Sequence, residues 1–243
     1  MIVAWAEEFG VPLPGPVRDE LLRFARLLLV WGDRINLTAA KSVTAIVADH
    51  LPDAFAIAGR LAGPTSSVAD EAERIIDVGS GGGLPGIPLA LLRPASEITL
   101  VEATGKKVAF LRTAIRELAL GPRVGVEQRR IELKRLESEA SGDGFGAGAG
   151  GGVSKMDGSP AEGFSHFANR FDVAISRAML PPADWLPLGR RLVRLGGRVF
   201  CLGTGALTDF PPGLDLVHQS AYRHRGRLPG GSDRWVAELK RST

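Results

Sequence analysis

One stretch, IIDVGSGGGLPGIPLALL at residues 75–92, limits what this chain can fold into more than any other. Its first four residues read as a short buried strand, with polar residues before it and glycines after it, too brief for a helix. The chain must then turn sharply. Gly79, Gly81, Gly82 and Gly83 let the backbone take φ > 0 and approach a ligand with no Cβ in the way. Residues 84–92 can begin a helix, because Pro85 and Pro88 fall in or before its first turn, where the amide donors have no internal partner. Strand, glycine turn and helix start together predict a nucleotide-type crevice.

Two kinds of cofactor compete for such a crevice. The run GGGLPG, Gly81 to Gly86, satisfies the dinucleotide pattern G-x-G-x-x-G, but Pro85 and Pro88 bracket the third glycine, where the dinucleotide helix should run freely. The other reading is D-x-G-x-G-x-G, with Asp77 at the strand tip ahead of Gly79, Gly81 and Gly83. An acid there suits a cationic ligand and repels a pyrophosphate. S-adenosylmethionine carries an ammonium and a sulfonium and no phosphate, so the charges favour it. A second strand, ITLV at 98–101, ends in Glu102, a position from which an acid accepts hydrogen bonds from two ribose hydroxyls. That spacing fits nicotinamide and adenosylmethionine cofactors alike.

Around this centre, strand-like runs at 75–78, 98–101, 124–126, 171–176 and 199–202 alternate with helical ones at 87–92, 106–118 and 185–195. The alternation predicts an α/β, doubly wound, mostly parallel sheet. Upstream, Val17, Leu21, Phe24, Leu28 and Trp31 repeat at helical spacing, a break follows at Gly32 and Asn36, and Ser42 opens a second helix through Leu61. His50 and Asp53 share one face of that second helix. The polar residues 63–74 read as a linker, so the expected organisation is a helical extension at 1–62 and a cofactor domain at 63–243.

Later residues add charge. Lys106 and Lys107 stand at the start of a helix, the wrong end for cations, which phosphate contact would explain as well as solvation does. Residues 141–163 are glycine-rich and nearly without apolar side chains, so a mobile, disordered insert without chemistry is expected. The run at 171–176 leads into Arg177, which at the carboxyl edge of a parallel sheet faces either the crevice or a neighbouring helix. Two late runs, 215–220 and 235–240, suggest an antiparallel sheet edge, which suits a methyltransferase better than a nicotinamide enzyme. Between and beside them Arg223, His224, Arg225, Arg227 and Arg234, with Tyr222 and Trp235, form a basic and aromatic cluster that could bind RNA or be merely solvated.

The 243 residues suffice for one α/β domain with an appendage. Cys201, the single cysteine, lies in an apolar run and reads as a core residue, which fits a reducing cytoplasm. No stretch approaches the roughly 20 apolar residues of a membrane span, and no signal-like start is present, so a soluble cytoplasmic protein with no membrane partner is expected. A formal charge of +3 is compatible with nucleic acid without requiring it. No metal is expected.

The pieces Asn36-Leu37-Thr38, His50-Leu51-Pro52-Asp53, DVGSGGGLPGIPL at 77–89, GKKVAFL at 105–111, Arg130 to Glu132 and ISRA at 175–178 together resemble the bacterial small-subunit ribosomal RNA guanine-N7 methyltransferases, the glucose-inhibited division protein B family. The resemblance implies a class I (Rossmann-like) methyltransferase sheet with an N-terminal helical extension. It also implies methyl transfer from S-adenosyl-L-methionine to N7 of a guanine in 16S ribosomal RNA, within the small subunit or a precursor, by a monomer. Cofactor contacts are then expected at Asp77, Gly79, Gly81, Leu84, Glu102, Ala103, Thr104, Ile131, Glu132 and Arg177. Substrate contacts are expected among Asn36, His50, Asp53, Lys106, Lys107 and Arg130. Guanine N7 has an in-plane lone pair and no proton, so no general base is expected. Two departures stand out. The second-strand acid is Glu102 where the family usually has Asp, and Gly203-Thr204-Gly205 follows the run at 199–202 where the family often has Lys. A nicotinamide oxidoreductase and an RNA-binding module with a vestigial pocket remain the alternatives.

Overall fold

Five runs of Ile, Val and Leu become parallel strands: β1 (Arg74–Val78), β2 (Glu97–Glu102), β3 (Val124–Gln128), β4 (Phe171–Arg177) and β5 (Val193–Gly203). Two further strands, β6 (Leu214–Tyr222) and β7 (Arg234–Arg241), extend the sheet in antiparallel fashion, giving the order β3-β2-β1-β4-β5-β7-β6. The computed structural model describes residues 1–61, 72–130, 164–177, 179–222 and 233–243. Most of the expected linker, the glycine-rich insert, Ile131, Glu132, Ala178, and the loop residues Arg223, His224, Arg225 and Arg227 lie outside the described residues. The expected doubly wound α/β architecture with an antiparallel edge is therefore observed. Strand order reverses between β1 and β4, and at such a switch point an open α/β sheet leaves its ligand crevice.

The helices are α1 (Ile2–Glu8), α2 (Gly15–Ile35), α3 (Val43–Leu61), α4 (Gly86–Leu92), α5 (Gly105–Glu117) and α6 (Pro182–Leu192). Two boundaries differ from expectation. Helix α2 runs through Gly32 to Ile35, because a single helical glycine costs only about 1 kcal/mol. At Gly32 the missing side chain also admits Thr38, whose Cγ2 would lie 3.2 Å from an added Cβ. The helix ends instead at Asn36, in the left-handed conformation (φ 55°), with its N–H donated to the Gly32 carbonyl at 3.0 Å. The second difference is at α6, which stops at Leu192, so β5 starts at Val193. Gly196, between the expected helix at 185–195 and the expected strand at 199–202, is an irregularity within β5, with φ 77° and a register shift opposite Phe171 and Val173.

Successive strand residues point to opposite faces, and this alternation sorts the core. Ile75, Ile98, Val173 and Ile175 face the helices α1 to α5, packing with Trp5, Phe24, Phe55 and Leu111 in one apolar cluster. Ile76, Val78, Ala174 and Val199 face the other way, onto Trp185 and Leu186 of α6 and onto Phe167 and Phe171. Asp77 therefore shares its side with Ile75, and Arg177 with Ile175, both toward the N-terminal helices. At the amino end of β1, Glu73 pairs with Arg93 at 3.1 Å and with Arg198, while Glu238 of β7 takes Arg60 of α3 at 2.8 Å and Arg198 at 3.7 Å. Among the described residues, no helix is long and apolar enough to cross a membrane.

Candidate cofactor cleft

The glycine turn is fixed from three directions. The N–H groups of Gly79 and Ser80 donate to the Val101 carbonyl at 2.9 and 3.0 Å, which ties the turn to the end of β2. The Ser80 carbonyl accepts from Gly83 and Leu84 at 2.8 and 3.1 Å, closing the bend. Gly79 has φ 76°, and a Cβ there would run into the Met179 side chain, so both its backbone and its space require glycine. From below, Asp77 Oδ2 accepts the Gly86 N–H at 3.0 Å. From the side, Glu102 Oε2 accepts the Gly81 N–H at 3.0 Å and Oε1 accepts the Thr104 N–H at 2.8 Å. Each Glu102 oxygen keeps a second lone pair for a ligand.

A cleft of about 390 Å³ opens over this turn, within the usual size range of small-molecule sites. Of the expected cofactor residues, Gly79, Gly81, Leu84, Glu102, Ala103 and Arg177 line it, and so does Lys107 from the substrate set. Thr104 stands at the start of α5, with its N–H on Glu102. Asp77 lies beneath the turn and outside the lining, 1% exposed. Burial, opposed by the Gly86 N–H and Arg177 and reinforced by Glu102, pushes its carboxyl up to about 7. Its Oδ1 is buried and has no hydrogen-bond partner among the described residues. The carboxylate that the cleft wall presents is thus Glu102, where sequence pointed first to Asp77. Lys106, Arg130 and Asn36 are exposed and outside the lining, and the Asn36 backbone ends α2.

His50 and Asp53 stand behind Arg177. Arg177 Nη1 donates to Asp53 Oδ2 at 2.9 Å and to His50 Nδ1 at 3.4 Å. Because a guanidinium cannot accept, His50 must carry its proton on Nε2, which donates to Thr38 Oγ1 at 2.8 Å. Asp53 is fully buried. Its Oδ2 takes a second guanidinium, Arg234 Nη1 at 2.9 Å, and its Oδ1 accepts the Tyr222 hydroxyl. Burial alone would raise the Asp53 carboxyl; Arg177, Arg234 and the Tyr222 phenol outweigh it and hold it below the usual range. Arg177 thus meets both readings open to it, lining the crevice and bridging to a helix.

Six lining residues were not among the expected contacts: Leu37, Ser80, Gly82, Val101, Met179 and Arg129. Arg129 directly follows β3, donates its N–H to the Glu102 carbonyl at 3.1 Å, and holds its guanidinium 5.7 Å from the centre of the Phe167 ring. The rule that picked out Arg177, a cation at the carboxyl edge of a strand, would have found it. Cys201 is buried and its thiol is pushed up to about 11, which fits a core residue and no nucleophile. Among the described residues, no group of three or more His, Cys, Asp or Glu side chains could hold a metal ion.

A glycine turn at the switch point, an acid at the tip of the second strand, and a parallel sheet closed by an antiparallel pair define a class I methyltransferase. Residues 18–142 match the family model described as rRNA small subunit methyltransferase G. The chain is 30% identical over 241 residues to the ribosomal RNA small subunit methyltransferase G of Chromohalobacter salexigens, covering 97% of this chain and 93% of that one. It is 31% identical over 245 residues to the protein of the same name from Methylococcus capsulatus, covering 99% and 97%. A shorter, closer match, 44% over 117 residues, is to the Ralstonia nicotianae protein of that name, covering 48% of this chain and 52% of that one. The chain belongs to the rRNA small subunit methyltransferase G family.

Proposed function

We propose that this protein transfers the methyl group of S-adenosyl-L-methionine to N7 of a guanine in 16S ribosomal RNA, as a cytoplasmic monomer acting on the small subunit or a precursor. The observation that carries the cofactor assignment is the glycine turn held against Glu102, beside a cleft of about 390 Å³. When bound, S-adenosylmethionine supplies an electrophilic methyl group on a sulfonium. Glu102 offers its remaining lone pairs to the two ribose hydroxyls. Arg177, Lys107 and Arg129 give the cleft cations for an anionic partner, the amino-acid carboxylate of the cofactor or a phosphate of the RNA. Lys106 and Arg130, exposed outside the cleft lining, suit RNA phosphates.

No side chain has to remove a proton, because N7 attacks with its own lone pair. The work left to the protein is alignment of acceptor and methyl donor, an effect worth roughly 7–11 kcal/mol in well-oriented systems. A base that reaches such a cleft has to be splayed out of its helix, which favours the folded subunit over bare RNA as the substrate.

The test is methyl transfer from labelled S-adenosylmethionine to small subunits prepared from cells lacking the protein, with the modified base identified by mass spectrometry. The expected product is 7-methylguanine, and Arg177→Ala should lower the rate by about tenfold or more while the protein stays folded, a transition-state loss of about 1.4 kcal/mol. NAD bound in the cleft with no affinity for S-adenosylmethionine would overturn the assignment. Salt-dependent RNA binding without any methyl transfer would point instead to an RNA-binding module.

A further inference from the structure

We infer that Tyr222 and Arg234 are positioning residues for the cleft cation Arg177, acting on it through the buried carboxylate of Asp53. The inference rests on Arg177 serving the cofactor cleft as proposed above. Neither residue lines that cleft, and no bond joins either one directly to Arg177; what all three share is Asp53.

An arginine at the rim of a cleft has many rotamers, and a site that needs one of them must exclude the rest. Asp53 does this by engaging Nη1 of Arg177 at 2.9 Å, in an ion pair whose carboxylate is fully sealed from water. Nε and Nη2 then donate to no group among the described residues and stay available to a ligand. Asp53 can orient Arg177 only if it is itself held. Its Oδ2 is shared between Arg177 and Arg234, both at 2.9 Å, so Arg234 balances the pull on a single oxygen. Its Oδ1 is fixed by the Tyr222 hydroxyl. Burial first, then the Asp53 charge, keep the Tyr222 phenol above its usual range, so it remains a donor at any physiological pH. Tyr222 ends β6, Arg234 begins β7, and the two face each other in register across the antiparallel pair. The far edge of the sheet thus sets the angle of the carboxylate, and the carboxylate sets the guanidinium in the cleft.

Removing the Tyr222 hydroxyl frees Oδ1, and the carboxylate can turn toward the guanidiniums. Removing the Arg234 charge leaves Arg177 as the only strong partner of Oδ2 among the described residues and draws it inward. In both cases Arg177 leaves its cleft rotamer, and cofactor binding weakens through Arg177 alone.

The test is a double-mutant cycle on S-adenosylmethionine affinity, read by calorimetry on the full chain, with KM and kcat for methyl transfer to small subunits measured in parallel. Tyr222→Phe and Arg234→Met should each weaken affinity about threefold or more and raise KM more than they lower kcat, while Arg234→Lys restores most of the loss. In an Arg177→Ala background, the same substitutions should change affinity by less than about 1.5-fold, because the group they act through is gone. Full affinity in Tyr222→Phe and Arg234→Met, with Arg177→Ala impaired, would overturn the relay and leave the cofactor assignment standing. Equal losses with and without Arg177 would assign the pair to the fold and overturn the relay as well. An unimpaired Arg177→Ala would remove Arg177 from the cleft chemistry, and the relay with it.

Discussion

Asp77 gives up its hydration on folding and receives one backbone hydrogen bond in return, from Gly86 at 3.0 Å. Its carboxyl rises to about 7, mainly through burial. A folded-state value above the unfolded one means that stability is fullest below about 3.8 and is lost as pH climbs through about 7. Asp77→Asn keeps an acceptor for Gly86 and removes the titration. The stability of the wild-type protein relative to this variant should therefore fall between about pH 4 and pH 7, at up to roughly 1.4 kcal/mol per pH unit, and level off above, in calorimetric melts without cofactor. A pH-independent difference would show that Asp77 is ionised throughout. Asp53 is as deeply buried and behaves oppositely, because two guanidiniums and a phenol meet it. What separates the two acids is company, and company is what a sequence hides. Glu102 and Arg177 were legible because strand tips reach the crevice. The surroundings of Asp53 come from residues 124, 169 and 181 positions away, beyond any local pattern.

The elements themselves were largely written in local spacing. Strands β1 to β4 and the antiparallel pair follow runs of apolar and β-branched residues, and Ser42 begins α3 as expected, its Oγ accepting the Ala45 N–H at 3.1 Å. Where spacing misled, a glycine was responsible. Gly32 resembles a helix break and Gly196 a turn, yet packing overrides both. The ion cluster at the amino end of β1 was invisible for the same reason as the surroundings of Asp53. It joins the start of β1, the end of α4, β5, β7 and the last turn of α3 through Glu73, Arg93, Arg198, Glu238 and Arg60. Glu73→Ala would take the Glu73 carboxylate from the buried Arg93 and strip Arg198 of one of its two carboxylates. A loss of about 3–5 kcal/mol is expected in urea unfolding. A loss below about 1 kcal/mol would mean that the cluster orients strands without stabilising them.

At the scale of the whole molecule, α1 to α3 belong to the core. Trp5, Phe24, Leu28 and Phe55 sit in the same apolar cluster as Ile75, Ile98 and Ile175, and all seven are at most 2% exposed. Sequence suggested a helical extension at 1–62 beside the cofactor domain. A chain lacking residues 1–61 would leave α4 and α5 alone to cover that side of the sheet, and it is expected to show no cooperative melt and no dispersed amide spectrum. A well-folded truncated chain would show that the extension is independent of the sheet. Strand order carries a consequence for biosynthesis. β7 is made after β6 yet lies between it and β5, and it brings both Arg234 and Glu238. A nascent chain that has emerged only as far as β6 therefore has an open edge at β5, an Asp53 carboxylate still missing Arg234, and Arg60 and Arg198 still missing Glu238. Until residues 234–241 fill the gap between β5 and β6, the carboxylate bonded to Arg177 holds one of its two guanidiniums, so the cleft cation waits on the strand that emerges after the other six.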